Sequence, residues 1–371
     1  MPRKDQKKWQ MDLEEYIRQG EPDQSEKSTA WKTAIGLQDV DGLKTSEYLL
    51  ETAKEHIEGR IDIKTAGRRI ESYYEERTAR NEIEAETKEA DIVATRITEI
   101  LGEKTFQFSP ATWKSIHKRL FKGVFDYAGM YRTYNITKKE WVLNGDTVYY
   151  ASADSISDTL DYDFRMEKEF SYENLSADDA VRHISKFTSG IWQIHPFCEG
   201  NTRSTAVFII KYLKSFGYSV NNEIFAENSW YFRNALVRAN YNDHQKGIMA
   251  TSVFLDRFFE NLLLGTDYEL KNRYMHVDYK EPDKNKSQSV IQSAKVPTPK
   301  SQNGTLKITL EEMAIIKVLQ DEPSATQKRI AELTGKSERT IKRRTVEMQE
   351  KGFIRRENGK RNGRWEVLIK K

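Results

Sequence analysis

The chain predicts a mainly α-helical fold: a helical bundle carrying one short β-hairpin flap, then a small module of three helices and a closing hairpin. Three observations support this. Among 371 residues there are only 8 Pro and 19 Gly against an abundance of charged helix formers, and this length allows two or more domains with a sizeable core. Apolar residues recur at helical spacing on both sides of a polar loop, with Ile184, Phe187, Ile191 and Ile194 before it and Val207, Ile210, Tyr212 and Leu213 after it. Strand character is local: Trp141-Val142-Leu143 and Thr147-Val148-Tyr149-Tyr150 flank Asn144-Gly145-Asp146, whose Asn-Gly pair suits positive φ.

Taken in order, residues 1–40 read as a largely polar N-terminal arm with a short amphipathic stretch from Trp9 to Ile17. Residues 41–95 form a helical region in which the run from Tyr48 closes at Glu58-Gly59, a C-cap pattern. Residues 96–275 hold the body. Residues 276–304, rich in Lys, Asp, Ser and Gln and punctuated by Pro282, Pro297 and Pro299, read as a flexible linker. In residues 305–371, Leu310, Ile315, Val318 and Leu319 mark a helix. Gln327 to Thr334 marks a second, Gly335 a turn, and Ser337 caps a third running to about Lys351. The hairpin of 353–356 and 364–368 closes the module. No apolar run could span a bilayer, and the basic start lacks the apolar stretch of a secretory signal. The single cysteine, Cys198, allows no intrachain disulfide and fits a reducing cytoplasm.

The loop itself, His195-Pro196-Phe197-Cys198-Glu199-Gly200-Asn201-Thr202-Arg203, carries the chemistry. Asn201-Thr202-Arg203 opens a helix, whose unpaired N–H groups and positive dipole end favour a phosphate. Arg203 adds a permanently charged fork. Glu199 is a hard oxygen ligand suited to Mg²⁺, which takes one or two carboxylates together with substrate phosphates. His195 is a base near neutral pH.

This stretch resembles the signature of the Fic (Fic/Doc) family, H-x-F-x-[DE]-G-N-G-R-x-x-R. His195, Phe197, Glu199, Gly200, Asn201 and Arg203 match, whereas Thr202 replaces the second glycine and Ala206 the second arginine. A second similar run spans 116–121 and 128–132, and the resemblance covers roughly residues 40 to 275. It implies a protein adenylyltransferase that moves AMP from ATP to a Ser, Thr or Tyr hydroxyl, on another protein or on itself. His195 would take the hydroxyl proton, and Glu199 would hold Mg²⁺. Gly200, Asn201 and Thr202 would cradle phosphate with their N–H groups, the Asn201 side chain adding to them, and Arg203 would meet the leaving phosphates. The flap residues Thr147, Val148 and Tyr149 would dock the target by strand addition. Tyr231, Phe232 and Asn240 would line the adenine and ribose pocket. Glu58, on an antitoxin-like helix, is the candidate inhibitory glutamate, although Lys54 stands where Ser or Thr is usual. The spacing also occurs at Ser72–Glu76 and Thr78–Glu82. With Ala206 offering no guanidinium, control is expected to be weak or to bypass the usual glutamate–arginine pair.

The C-terminal module resembles the winged helix-turn-helix family in element order. Residues 326–371 contain fifteen Lys and Arg against six Glu, a net +9, which leaves −6 for the rest of a chain totalling +3. A basic module on an acidic body suits a nucleic-acid partner. Arg339, Lys342, Arg343 and Arg344 fall on the recognition helix, with Lys360 and Arg361 at the wing. A DNA-binding regulator with a nucleotide-responsive but slow body is therefore the alternative function, and protein docking by this module and a homodimer both stay open.

Overall fold

A computed structural model describes residues 13–17, 21–75, 82–173, 175–217, 223–280, 308–357 and 363–369. Outside these lie residues 1–12, the linker from 281 onward, Glu76, Thr78, and the wing-tip Lys360 and Arg361.

The first forty residues do not form an arm throughout. Pro22–Gly36 is a helix (α1), opened by a proline in its first turn and a capping box between Glu21 and Gln24. Trp31, Ala34, Leu37 and Val40 are buried at three-residue spacing, an apolar stripe that continues into the 3₁₀ turn Leu37–Asp41. The Trp31 indole donates to His56 Nδ1 at 3.0 Å, tying α1 to α2 (Glu47–Ile57). Gly59, at φ 76°, closes α2, as its sequence predicts. Helices α3 (Ile63–Glu75) and α4 (Glu82–Gly102) complete this layer.

The body follows as α5 (Pro110–Phe121), α6 (Ile156–Glu169), α7 (Ala177–Ile194), α8 (Asn201–Ser215), α9 (Glu223–Ala239) and α10 (Val253–Leu264). Every residue of α8 from Asn201 to Leu213 is buried, so this helix is the central rod of the core rather than a surface amphipath. Phe108, Phe164, Phe187, Phe208 and Tyr212 pack against one another around it.

The expected hairpin at 141–150 is not a strand pair. Trp141–Leu143 is a 3₁₀ turn, with Asn144 and Gly145 at φ 56° and 86°. The Glu140 amide donates to Asp146 O at 2.9 Å and the Lys138 amide to Thr147 Oγ1 at 3.1 Å. Val142, Leu143 and Val148 all turn into the core, which breaks the in–out alternation a strand needs. Among the described residues the one sheet is C-terminal. There β1 (Ile354–Glu357) pairs antiparallel with β2 (Arg364–Val367), Ile354 opposite Val367.

That sheet belongs to α11 (Leu310–Asp321), α12 (Gln327–Thr334) and α13 (Glu338–Glu350), each capped by a threonine or serine. Ile315, Leu319, Ile330, Ile341, Met348 and Trp365 form its core. The module sits on the body: the Ala177 amide donates to Ile308 O at 2.8 Å, and Leu310 and Ala314 join the body's apolar cluster. At Gly217 (φ 88°) a Cβ would lie 1.9 Å from Thr334 O, so only glycine permits this approach. No helix among the described residues is long and apolar enough to cross a membrane.

Candidate active site and nucleic-acid interface

The loop between α7 and α8 rests on a neutral histidine. His117 Nδ1 accepts from the Gly129 amide at 2.9 Å, which makes Nε2 the protonated nitrogen, and it donates to Glu199 O at 2.9 Å. Burial pushes the His117 pKa down to about 4. Its ring stacks on buried Phe197, centroids 3.7 Å apart. Asn201 closes the loop from above: its Oδ1 accepts from the Phe197 amide at 3.0 Å and its Nδ2 donates to Phe197 O at 2.7 Å. The Asn201 side chain is thus a loop brace, not the phosphate contact expected of it. Gly200, at φ 74°, is required twice, since a Cβ would also lie 2.3 Å from Phe121 Cε2.

His195 ends α7 in the left-handed region (φ 50°, ψ 58°), a conformation unfavourable for a non-glycine residue by about 1–2 kcal/mol. Arg132 holds it there. Its Nε donates to His195 O at 2.8 Å, its amide to Pro196 O at 2.8 Å, and its Nη atoms to the carbonyls of Tyr134, Ala151 and Ile194. The His195 ring is buried, and its Nδ1 has no hydrogen-bond partner. Burial first, then Lys138, Arg233 and Arg132, keep its pKa well below the usual histidine range. The imidazole is thereby held in its neutral form, the form that can accept a proton, while burial lowers its basicity.

Glu199 projects outward, half-exposed, with Oε2 2.8 Å from Lys138 Nζ. Among the described residues no group of three or more His, Cys, Asp or Glu side chains could hold a metal. A lone carboxylate fits Mg²⁺ only as partner to a nucleotide's phosphates, and Lys138 has to yield for it. The first turn of α8 presents the N–H groups of Asn201, Thr202 and Arg203, which by helix geometry have no intrahelical acceptor. The Thr202 hydroxyl is engaged elsewhere, accepting from the Trp192 indole at 3.0 Å.

Arg203 does not face open space. Its Nη2 donates to Glu89 Oε1 at 2.6 Å and its Nη1 to Gln38 Oε1 at 3.1 Å. Nε lies 2.7 Å from Asp41 Oδ2 as an ion pair whose angle misses hydrogen-bond alignment. The guanidinium also lies over the Phe121 ring, and the side chain is 2% exposed. The expected inhibitory residue, Glu58, stands elsewhere: it accepts from Tyr16 Oη at 2.5 Å and pairs with Arg60 at 2.6 Å. The carboxylates that hold Arg203 are Asp41 and Glu89, and no local pattern marks them.

The expected adenine pocket is core instead. Phe232 is fully buried between Phe225 and Phe258, and Tyr231, also buried, donates its hydroxyl to Phe254 O at 3.2 Å. Asn240 Nδ2 donates to Ser189 O, Ser189 Oγ and Leu236 O. Of the docking residues, Val148 is buried and Tyr149 is 82% exposed, its carbonyl accepting from Gln193 Nε2 at 3.1 Å. On α13, Arg339 and Lys342 are exposed. Arg343 is exposed beside Glu347 at 3.1 Å. Arg344 departs from its expected DNA role, pairing with Glu311 at 2.9 Å and Glu347 at 3.0 Å.

Residues 107–213, which hold α5, Arg132 and the whole loop, match the Fic/DOC family model. This chain carries a Fic/DOC domain. Residues 312–355 match the model of the winged helix-turn-helix DNA-binding family. Among curated proteins, the chain is 27% identical over 108 residues to the protein adenylyltransferase VbhT of Bartonella schoenbuchensis; the match covers 29% of this chain and 21% of that protein. The chain thus spans about a fifth of that relative's length. Two solved structures are similar. One is the N-terminal Fic domain of a Bartonella effector protein from Bartonella sp. AR 15-3, at 20% identity over 50% of this chain and 84% of that one, with a TM-score of 0.40. The other is a Fic family protein from Desulfovibrio desulfuricans G20, at 12% identity over 100% and 98% of the two chains, with a TM-score of 0.44. Gln38, Asp41 and Glu89, the partners of Arg203, all precede the Fic/DOC span.

Proposed function

We propose that the chain is a protein adenylyltransferase that transfers AMP from ATP to a Ser, Thr or Tyr hydroxyl, its own included. The observation that carries this is the buried His195 at the end of α7, on the loop that leads, through half-exposed Glu199, into the N-terminus of α8. The target oxygen attacks the α-phosphorus and His195 takes its proton. The bond from that phosphorus to the bridging oxygen breaks, and pyrophosphate leaves. Mg²⁺, when bound, supplies positive charge to the phosphates, with Glu199 as its protein ligand. The first N–H groups of α8 hold phosphate oxygens. Arg203 reaches them only once Asp41 and Glu89 release it, so the arrangement described corresponds to a resting state. The match to a protein adenylyltransferase supports the reading. Intact mass after incubation with ATP and Mg²⁺, beside His195→Ala, tests it. A gain of one AMP in the wild type alone supports it; no gain, with no label passing from α-labelled ATP to lysate proteins, overturns it.

A second activity, DNA binding, is favoured by the exposed Arg339 and Lys342 on α13. Duplex affinity that falls steeply with salt supports it, and salt-insensitive or absent binding overturns it.

A further inference from the structure

A histidine base is usually oriented by a hydrogen bond to its second nitrogen. His195 Nδ1 has none, so something else fixes the ring. Two aromatic walls stand against it. Tyr150 lies with its centroid 4.2 Å away at 33°, and Trp192 presents its edge at 5.2 Å and 89°. The two walls also touch each other, at 5.9 Å.

Each wall has its own anchor. The Trp192 indole N–H donates to Thr202 Oγ1 at 3.0 Å, and both residues are buried. Tyr150 directs its hydroxyl to Glu140 Oε1 at 3.4 Å. Glu140, fully buried, is gripped in turn by both Nη atoms of Arg233 at 2.6 and 3.1 Å. Thr202, the first anchor, lies in the loop itself, and a glycine at that position would have no side-chain atom to accept the indole proton.

We propose that Tyr150 and Trp192 are positioning residues that clamp the His195 ring, anchored by Thr202 on one side and by Glu140 and Arg233 on the other. The departure of Thr202 from the family pattern thereby gains a side-chain purpose, separate from its backbone N–H. The inference rests on the AMP-transfer reading for its kinetic consequence, but not for its geometry.

Three variants of the full chain test it: Tyr150→Ala removes a wall, Tyr150→Phe keeps the wall without its anchor, and Thr202→Val keeps shape without the acceptor. The first readout needs no turnover. Diethyl pyrocarbonate labels accessible neutral imidazoles, and peptide mass spectrometry reports His195 against exposed His244. Tyr150→Ala is expected to raise the His195 rate relative to His244 by about tenfold or more, as burial is lost, while Tyr150→Phe, which loses only the link to Glu140, raises it by about 2- to 3-fold. Wild-type rates in Tyr150→Phe on both readouts overturn the Glu140 anchor. An unchanged rate in Tyr150→Ala overturns the clamp. The second readout is AMP transfer. Misplacing a reacting group by about 1 Å costs on the order of 10²-fold, so Tyr150→Ala should lower kcat by about that factor with KM for ATP unchanged. Thr202→Val should lower kcat by about 3- to 10-fold on the same basis, and Tyr150→Phe should restore most of the Tyr150→Ala loss. Wild-type rates in Thr202→Val on both readouts overturn the Thr202 anchor. Should the wild type transfer no AMP, the functional reading falls and the labelling alone decides the clamp. Circular dichroism separates either result from unfolding, and Tyr150→Phe and Thr202→Val keep the test open if Tyr150→Ala does not fold.

Discussion

His195 and Arg203 bound the same loop and are almost equally buried, at 3% and 2% exposed, yet the protein settles them by opposite means. Around His195 it places aromatic rings and cations and leaves Nδ1 without a partner, which keeps the imidazole uncharged. Around Arg203 it places two carboxylates and an amide, which compensate a charge that cannot be shed. On the proposed AMP transfer, one end of the site would remove a proton and the other would meet phosphate, and the two environments lie a few residues apart. On that reading the neutral base would need no release, whereas the paired cation would.

The comparison can be broken in order of effect. His195→Ala should reduce AMP transfer by about 10³-fold, within the range of a lost general base, while leaving the circular dichroism spectrum unchanged; label transfer from α-labelled ATP measures it. Arg203→Met should strand Asp41 and Glu89 beside a buried site and lower stability by about 3 kcal/mol in urea denaturation. Adding Glu89→Gln and Asp41→Asn should recover part of that loss, and no recovery would mean that packing on Phe121, not charge, is what Arg203 provides.

A third test concerns pH. In the folded state His117 takes its proton only near pH 4, against 6.5 for the ordinary side chain. Between those values the unfolded chain binds more protons, so stability falls as pH falls, by up to about 1.4 kcal/mol per unit from this group. Asp91, pushed up to about 6 by burial, acts with the opposite sign. The difference between His117→Asn and the wild type therefore isolates the effect: the variant's stability should decline less steeply between pH 6.5 and 4.

Cations outside the body sharpen the contrast further. Lys342→Ala should reduce the salt slope of duplex binding by about one unit, whereas Arg344→Ala, which breaks an internal ion pair, should act chiefly on stability. The smallest effect belongs to Lys138→Ala. Its pair with Glu199 is partly exposed, so stability should change by less than about 1 kcal/mol.

How much of this was legible in the sequence follows from the range of the interactions. The loop was legible because its residues are contiguous, and so were the caps at Gly59, Thr309, Thr326 and Ser337, whose signals are local. The winged module was legible by element order. Arg203's partners were not, because Glu89 and Gln38 come from 114 and 165 residues away with no periodic mark. Arg132 was missed as a brace because its acceptors are carbonyls, which every residue has. Tyr231 and Phe232 looked like stacking platforms because an aromatic stripe has the same spacing in a core as in a pocket. At 141–150 the Asn-Gly pair did take positive φ, but burial of Val142, Leu143 and Val148 overrode the ladder.

Gly217 has a consequence for how the molecule comes apart. With the Thr334 carbonyl seated where its side chain would be, and Leu310 and Ala314 sharing the body's apolar cluster, the two modules have a common seam. Heating or urea should therefore meet one cooperative transition rather than two, and Gly217→Ala would act as a wedge that splits it. The rod that ends at this seam is α8, fifteen residues and about 22 Å long, and its other end is the loop that carries His195 and Glu199.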